Sequence, residues 1–181
     1  MKKSIEDTIV DVIKSIDPNR DDLLQKTPAR VARSCTELFS GYEKDVNKIA
    51  STFYESSIDE TIILKNIPFE SVCEHHLLPM VGTAAVGYIP NGKIIGASKL
   101  ASIVDCFAHR LQLQERLVME VANAVEDLLK PKGVAVYMCA EHFCISRRGV
   151  KKNGALFVTK YFTGEFKHNY NIRAEFLMGI K

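Results

Sequence analysis

Two stretches of helical periodicity lie between stretches of strand-like sequence, and this order limits the possible folds more than any other feature. Leu100, Ile103, Val104 and Phe107 recur at helical spacing after Ser98, and Leu117, Val121, Val125 and Leu128 do so from about Gln114 to Leu129. Before them, from about Thr61 to Tyr88, β-branched and aromatic residues accumulate. Turn residues at Asn66-Ile67-Pro68 and Pro79 predict short strands there, interrupted by a loop holding Cys73-Glu74-His75-His76. After them, Val134 to Cys144 and Leu156 to Phe166 predict two more strands, in a hairpin around Gly149 to Gly154. Amphipathic helices among such strands bury their apolar stripes against a sheet, giving an α+β domain with an antiparallel sheet.

The N-terminal part reads as helix. Ser4 can cap a helix carrying Ile5, Ile9, Val12 and Ile16, with Asp7 three residues after the cap, and the helix should run to about Ser15. Thr27 followed by Pro28 is a cap with a first-turn proline, and Val31, Cys35 and Leu38 mark a second helix that runs until Gly41. Pro90-Asn91-Gly92 reads as a turn, and Pro131 with Gly133 ends the helix that begins near Gln114. A chain of 181 residues with 46% hydrophobic composition can bury one core, and no repeat or linker divides it.

Charge narrows the partners. Twenty-four basic against 22 acidic residues give a formal charge of +2, with no long run of either sign, so composition favours neither nucleic acid nor an anionic membrane. The N-terminal Met-Lys-Lys-Ser-Ile-Glu-Asp puts two acids where a signal peptide needs apolar residues, and no run approaches the roughly 20 apolar residues of a membrane span. A cytoplasmic location is the resulting expectation.

The five cysteines, at 35, 73, 106, 139 and 144, are odd in number and unevenly spaced, which suits reduced thiols or metal ligands rather than a disulfide framework. Cys35 and Cys106 fall on apolar helix faces and read as small core residues. His109 and His168 read as surface residues. Cys73 and His76 have the spacing C-x-x-H, and His142-Phe143-Cys144 is a two-residue step that on a strand points both side chains to one face, with Cys139 facing away. Cys73, His76 and Cys144 together form a soft donor set suited to zinc, with a fourth position open for water whose pKa the ion lowers to about 7. His75 and His142 are then the general acid and base candidates. The alternative is a closed structural site in which His75 or His142 fills the fourth position.

Several runs resemble the GTP cyclohydrolase I family in that family's order. They are Cys73-Glu74-His75-His76-Leu77-Leu78-Pro79, Gly96-Ala97-Ser98-Lys99-Leu100-Ala101, Leu113-Gln114-Glu115-Arg116-Leu117, and Glu141-His142-Phe143-Cys144 leading to Arg148-Gly149-Val150. Thr27-Pro28-Ala29-Arg30-Val31, Phe39-Ser40-Gly41-Tyr42 and Arg173-Ala174-Glu175-Phe176-Leu177 are similar to it as well, so the resemblance covers nearly the whole chain. It implies a single domain over 1–181, mainly helical in 1–58 and catalytic in 59–181. The implied architecture is the tunnelling fold, an antiparallel sheet with helices on one side, whose subunits pool their sheets into a barrel. It also implies a homodecamer of two stacked pentamers, with active sites between subunits.

The chemistry implied is zinc-dependent hydrolysis of GTP at C8, with loss of formate and rearrangement to 7,8-dihydroneopterin triphosphate, the first step of tetrahydrofolate or pterin synthesis. Zinc would sit on Cys73, His76 and Cys144. His142 would donate the first proton and His75 would serve later transfers. Glu115 and Gln114 would bind the substrate, Glu115 recognising guanine, since one carboxylate can accept from both N1–H and the exocyclic amine. With no G-x-x-x-x-G-K-[ST] loop present, the triphosphate would fall to Ser98, Lys99, Arg148 and Arg30. Two departures stand out. Ser102 replaces the arginine usual after Ser-Lys-Leu-Ala, and Asn153 to Val158 replace a hydroxyl-rich stretch. The competing readings are a related pterin or queuosine enzyme of the same fold, and a zinc-stabilised binding protein without catalysis; free His75 and His142 argue against the latter.

Overall fold

A computed structural model describes residues 3–181; the first two residues of the N-terminal stretch discussed above lie outside them. The described chain forms two compact units, one ending at Ser40 and one spanning Gly41–Lys181.

The first unit holds α1 (Ile5–Ile16), α2 (Asp21–Leu24) and α3 (Thr27–Leu38), with α1 packed on α3. The expected capping box is present, Ser4 accepting from the Asp7 N–H while the Asp7 carboxylate accepts from the Ser4 N–H. Thr27 is the first helical residue and not the cap. Gln25 already holds helical backbone, with φ −69° and ψ −35°, so α3 starts from Lys26 without a side-chain cap.

A single turn at Ser40–Tyr42 spans the boundary, and in the second unit α4 (Val46–Ile49) leads to a two-stranded ribbon of β1 (Phe53–Glu55) and β4 (Lys93–Ile95). The main sheet has five strands in the order β5-β2-β3-β6-β7, namely β2 (Ile62–Cys73), β3 (Leu78–Ile89), β5 (Leu111–Gln112), β6 (Gly133–His142) and β7 (Leu156–Phe162). Four of these pair antiparallel; β5 alone runs parallel, to β2 through Val72↔Leu111 and Cys73↔Gln112.

Where short strands were expected, residues 62–89 form two strands of 12 residues each. Asn66 takes a left-handed φ of 57° and the register slips between Leu64 and Ile67, so the turn-like residues make a bulge and the strand continues. Pro68 is accommodated because β2 is still an edge strand at that point.

Helices α5 (Ala97–Ala108) and α6 (Gln114–Leu129) cover one face of the sheet. Leu100, Ile103, Val104, Leu117, Val121 and Val125 there pack with Ala84, Val86, Val134, Val136 and Met138, the alternate residues of β3 and β6. The opposite parity, Ala85, Ile89 and Ala135, meets Phe166 and Phe176 from α8 (Gly164–His168) and α9 (Tyr170–Gly179). The second hairpin is shorter than the sequence predicts. β6 ends at His142 and gives way to α7 (Phe143–Ser146), while β7 ends at Phe162 because Gly164, at φ 49°, turns the chain into α8. His109, expected at the surface, is partly covered; its Nδ1 lies 2.9 Å from the Asp105 carbonyl oxygen on the same helix.

Candidate metal centre and active site

The metal candidates sit where β2, β3 and β6 end together. Cys73 is the last residue of β2, and the four-residue turn to β3 carries His75 and His76. That turn is tight, with the N–H groups of His76 and Leu77 donating to the Cys73 carbonyl at 3.3 and 2.9 Å, and Leu77 taking a left-handed φ of 54° to close it. From the other side, the Glu74 N–H donates to the Gln112 carbonyl at 3.1 Å, continuing the parallel β2–β5 pairing. The Glu74 carboxylate is paired with Arg116, whose guanidinium also donates to Gln112 Oε1 at 3.1 Å and to the Leu111 carbonyl at 3.2 Å.

On β6, His142 pairs with Met80 of β3, and the chain then enters α7. Cys144 therefore does not lie on a strand, and the face argument from a two-residue step does not apply to it. Cys144 reaches the site because the helical turn carries its side chain back over the end of β6. Cys139 stays within β6, opposite Thr83, and is not part of the group.

The donor atoms of Cys73, His76 and Cys144 all lie within 4.8 Å of one another, and the two Sγ atoms are 4.0 Å apart. Two thiolates bound tetrahedrally to one zinc ion at about 2.3 Å each would stand about 3.8 Å apart, so the donor set fits such an ion without rearrangement. Burial, and after it the neighbouring Cys73 thiol, pushes the Cys144 thiol up, with Arg148 opposing. A cation between the sulfurs removes that cost by stabilising both thiolates.

A cavity of about 180 Å³ opens on this group. His75, Glu115 and His142 line it with the three ligand candidates. Glu115 is exposed in the first turn of α6, where its carboxylate can reach a ligand. His142 is buried, and burial holds its pKa below the usual imidazole value, with the Glu115 charge opposing. Its ring packs edge-on against Phe157 of β7, centroids 5.2 Å apart. Gln114 also borders the cavity, but its side chain is fully buried and its polar ends are engaged within the protein.

Ser98 and Lys99 sit in the first turn of α5 and Arg148 beyond α7; none of the three lines the cavity. Arg30 lies on α3 in the first unit. The sequence reading did not single out Phe157, Met80, Ile145 or the Glu74–Arg116 pair, although the first three line the cavity. The pair depends on the two-residue strand β5, which has no periodicity to read.

The fold and this site define a tunnelling-fold protein with a Cys-His-Cys donor group, able to hold a metal ion, that borders a cavity. The family described as GTP cyclohydrolase I matches residues 3–181. The chain is 49% identical over 162 residues to GTP cyclohydrolase 1 of Rickettsia massiliae, covering 89% of this chain and 85% of that one. It is 46% identical over 177 residues to GTP cyclohydrolase 1 of Thermoanaerobacter pseudethanolicus, covering 96% and 94%. The chain belongs to the GTP cyclohydrolase I family and is a hydrolase. Among solved structures, the apo form of the archaeosine synthase QueF-Like shares the fold at a TM-score of 0.50 and 22% identity, over 60% of this chain and 97% of that one.

Proposed function

We propose that this protein hydrolyses GTP at C8, releasing formate and forming 7,8-dihydroneopterin triphosphate, with zinc held by Cys73, His76 and Cys144. The observation that carries the reading is the convergence of those three donors with His75, Glu115 and His142 on one cavity. When bound, zinc supplies a Lewis acid that makes water nucleophilic at neutral pH.

The chain's own residues do the rest. Glu115 accepts from guanine N1–H and the exocyclic amine, so a base lacking that pair leaves a carboxylate unsatisfied. His142, at the buried end of the cavity, gives a proton to the purine ring nitrogen as C8 is attacked. His75, exposed in the turn, serves the later proton transfers at the opened ring and the ribose. Ser98, Lys99, Arg148 and Arg30 hold the triphosphate.

A homodecamer of two pentamers with shared sites accompanies this reading. The cavity is smaller than the roughly 300–1,000 Å³ of most ligand sites, which supports completion of the site by a second chain. Strand β7 is a sheet edge exposing Leu156, Phe157 and Val158, a surface suited to pairing with another copy. Native mass measurement should give a multiple of five chains, and an active monomer would contradict shared sites. GTP is the small-molecule partner, and nothing in the charge balance favours nucleic acid or membrane. No helix among the described residues is long and apolar enough to cross a membrane, and the cytoplasm, where GTP is available, is the proposed location. Incubating the purified protein with GTP tests the activity. Formate and, after oxidation, a fluorescent pterin are expected; GTP left intact under metal-replete conditions would refute the reading.

A further inference from the structure

The side chain of Gln114 joins α6 to both strands of the second hairpin. Its Nε2 lies 3.2 Å from the Met138 carbonyl, 3.0 Å from the Phe157 carbonyl and 2.9 Å from Thr159 Oγ1, while its Oε1 lies 2.8 Å from His142 Nε2. Carbonyl oxygens only accept, so the amide nitrogen must face them and the amide cannot be flipped without setting oxygen against oxygen. Oε1 is thereby presented to His142, and it too can only accept. His142 Nε2 must therefore carry a hydrogen. His142 Nδ1 has no hydrogen-bond partner among the described residues, and it is not among the buried polar atoms without one, so it is open to the cavity.

We infer that Gln114 is a positioning residue that holds a hydrogen on His142 Nε2 and turns Nδ1 to the cavity, making Nδ1 the nitrogen that exchanges a proton with substrate. This gives a specific role to a side chain that the resemblance places only among the substrate-binding residues, and it rests on the reading of His142 as proton donor. In the donating step Nδ1, loaded beforehand with a proton from solvent in the cavity, gives it up: the Nδ1–H bond of the imidazolium breaks and an N–H bond forms on the purine ring nitrogen. The electron pair stays on Nδ1, and the ring is left neutral with its remaining proton held on Nε2 by Gln114. The edge-on ring of Phe157, whose carbonyl also holds Gln114, restrains the imidazole plane. Acceptor, ring and packing partner thus form one unit across α6, β6 and β7.

The test combines kinetics with spectroscopy on the zinc-loaded protein. Gln114→Leu should lower kcat about 10- to 100-fold, by analogy with the loss of a hydrogen-bond partner that orients a metal-ligating histidine, with KM for GTP little changed. In a His142→Ala background the same substitution should cost nothing further. A rise in KM alone would make Gln114 a substrate-binding residue, and an undiminished loss in the His142→Ala background would make its role purely structural; either overturns the inference. Nitrogen-15 NMR of ring-labelled histidine, assigned by the resonance lost in His142→Ala, reads the tautomer directly in the unsubstituted protein. This arm decides the matter even if Gln114→Leu does not fold. A protonated Nε2 and bare Nδ1 are expected, and the opposite pattern overturns the inference. Full turnover by His142→Ala would defeat the proton-donor reading itself, a result distinct from each of these.

Discussion

The Sγ atoms of Cys73 and Cys144 lie 4.0 Å apart although 71 residues separate them in sequence. The sheet causes this approach, since β3 pairs with β2 up to Cys73 and with β6 up to His142, and α7 then folds Cys144 over the gap. The purified protein should carry about one zinc per chain, and Cys73→Ser or Cys144→Ser should abolish both metal and turnover. Elemental analysis checks this, and full occupancy in both variants would remove these residues from the ligand set. Stripping the metal with a chelator should lower Tm, because an ion that binds only the folded chain stabilises it.

His142→Ala should keep its zinc and slow turnover by roughly 10²- to 10⁴-fold, the range of a general acid. Metal content and kcat measured on one preparation separate the two roles. Loss of zinc would make His142 a ligand and support a closed site.

Much of this centre is legible in the sequence, because ligand identity and spacing are local properties. C-x-x-H and H-x-C can be read without knowing how the chain folds, and so can the stripes of α5 and α6. What escapes is set by long-range packing. Phe143 and Cys144 look like a strand continuing from β6, and only the structure shows Phe143–Ser146 turning into a helix. Asn66-Ile67-Pro68 has the composition of a turn, but the pairing of β2 with β3 on both sides of it is stronger than that local preference and leaves a bulge. The Arg116–Glu74 pair requires β5, whose two residues gain their conformation from β2.

That pair carries its own prediction. Arg116 is bound to Glu74, Gln112 Oε1 and the Leu111 carbonyl, and Gln112 is buried, so Arg116→Met leaves partly buried acceptors short of donors. A loss of about 1–3 kcal/mol in urea unfolding is expected. A competing chelator should also remove zinc more readily, since the Glu74 turn carries His76. Unchanged stability would show that water replaces the guanidinium at no cost.

Leu77 is the opposite case. It is 66% exposed and holds a left-handed φ of 54°, a conformation costing a side chain roughly 1–2 kcal/mol. Leu77→Gly relieves that strain and adds back about 0.5–1 kcal/mol of backbone entropy. The net expectation is a gain of about 0.5–1 kcal/mol by thermal or urea unfolding. A loss would mean that the Leu77 side chain is buried against another copy in the assembly.

Ser102 tests the phosphate seat. It lies in α5 one turn from Ser98, its hydroxyl donating to the Ser98 carbonyl at 3.0 Å, at the place where the resemblance in sequence implies an arginine. A charge-assisted hydrogen bond contributes roughly 1.5–3 kcal/mol, but screening at a solvated phosphate reduces this to about 1 kcal/mol for Ser102→Arg. That is about a fivefold gain in affinity. The triphosphate does not react, so the gain should be equal in ground and transition states, lowering KM for GTP and leaving kcat nearly unchanged. It should shrink as salt rises. If KM stays unaltered at low salt, either another cation already serves or the phosphates lie elsewhere. Lys99→Ala separates these outcomes, because it weakens GTP binding only if the phosphates sit at the start of α5.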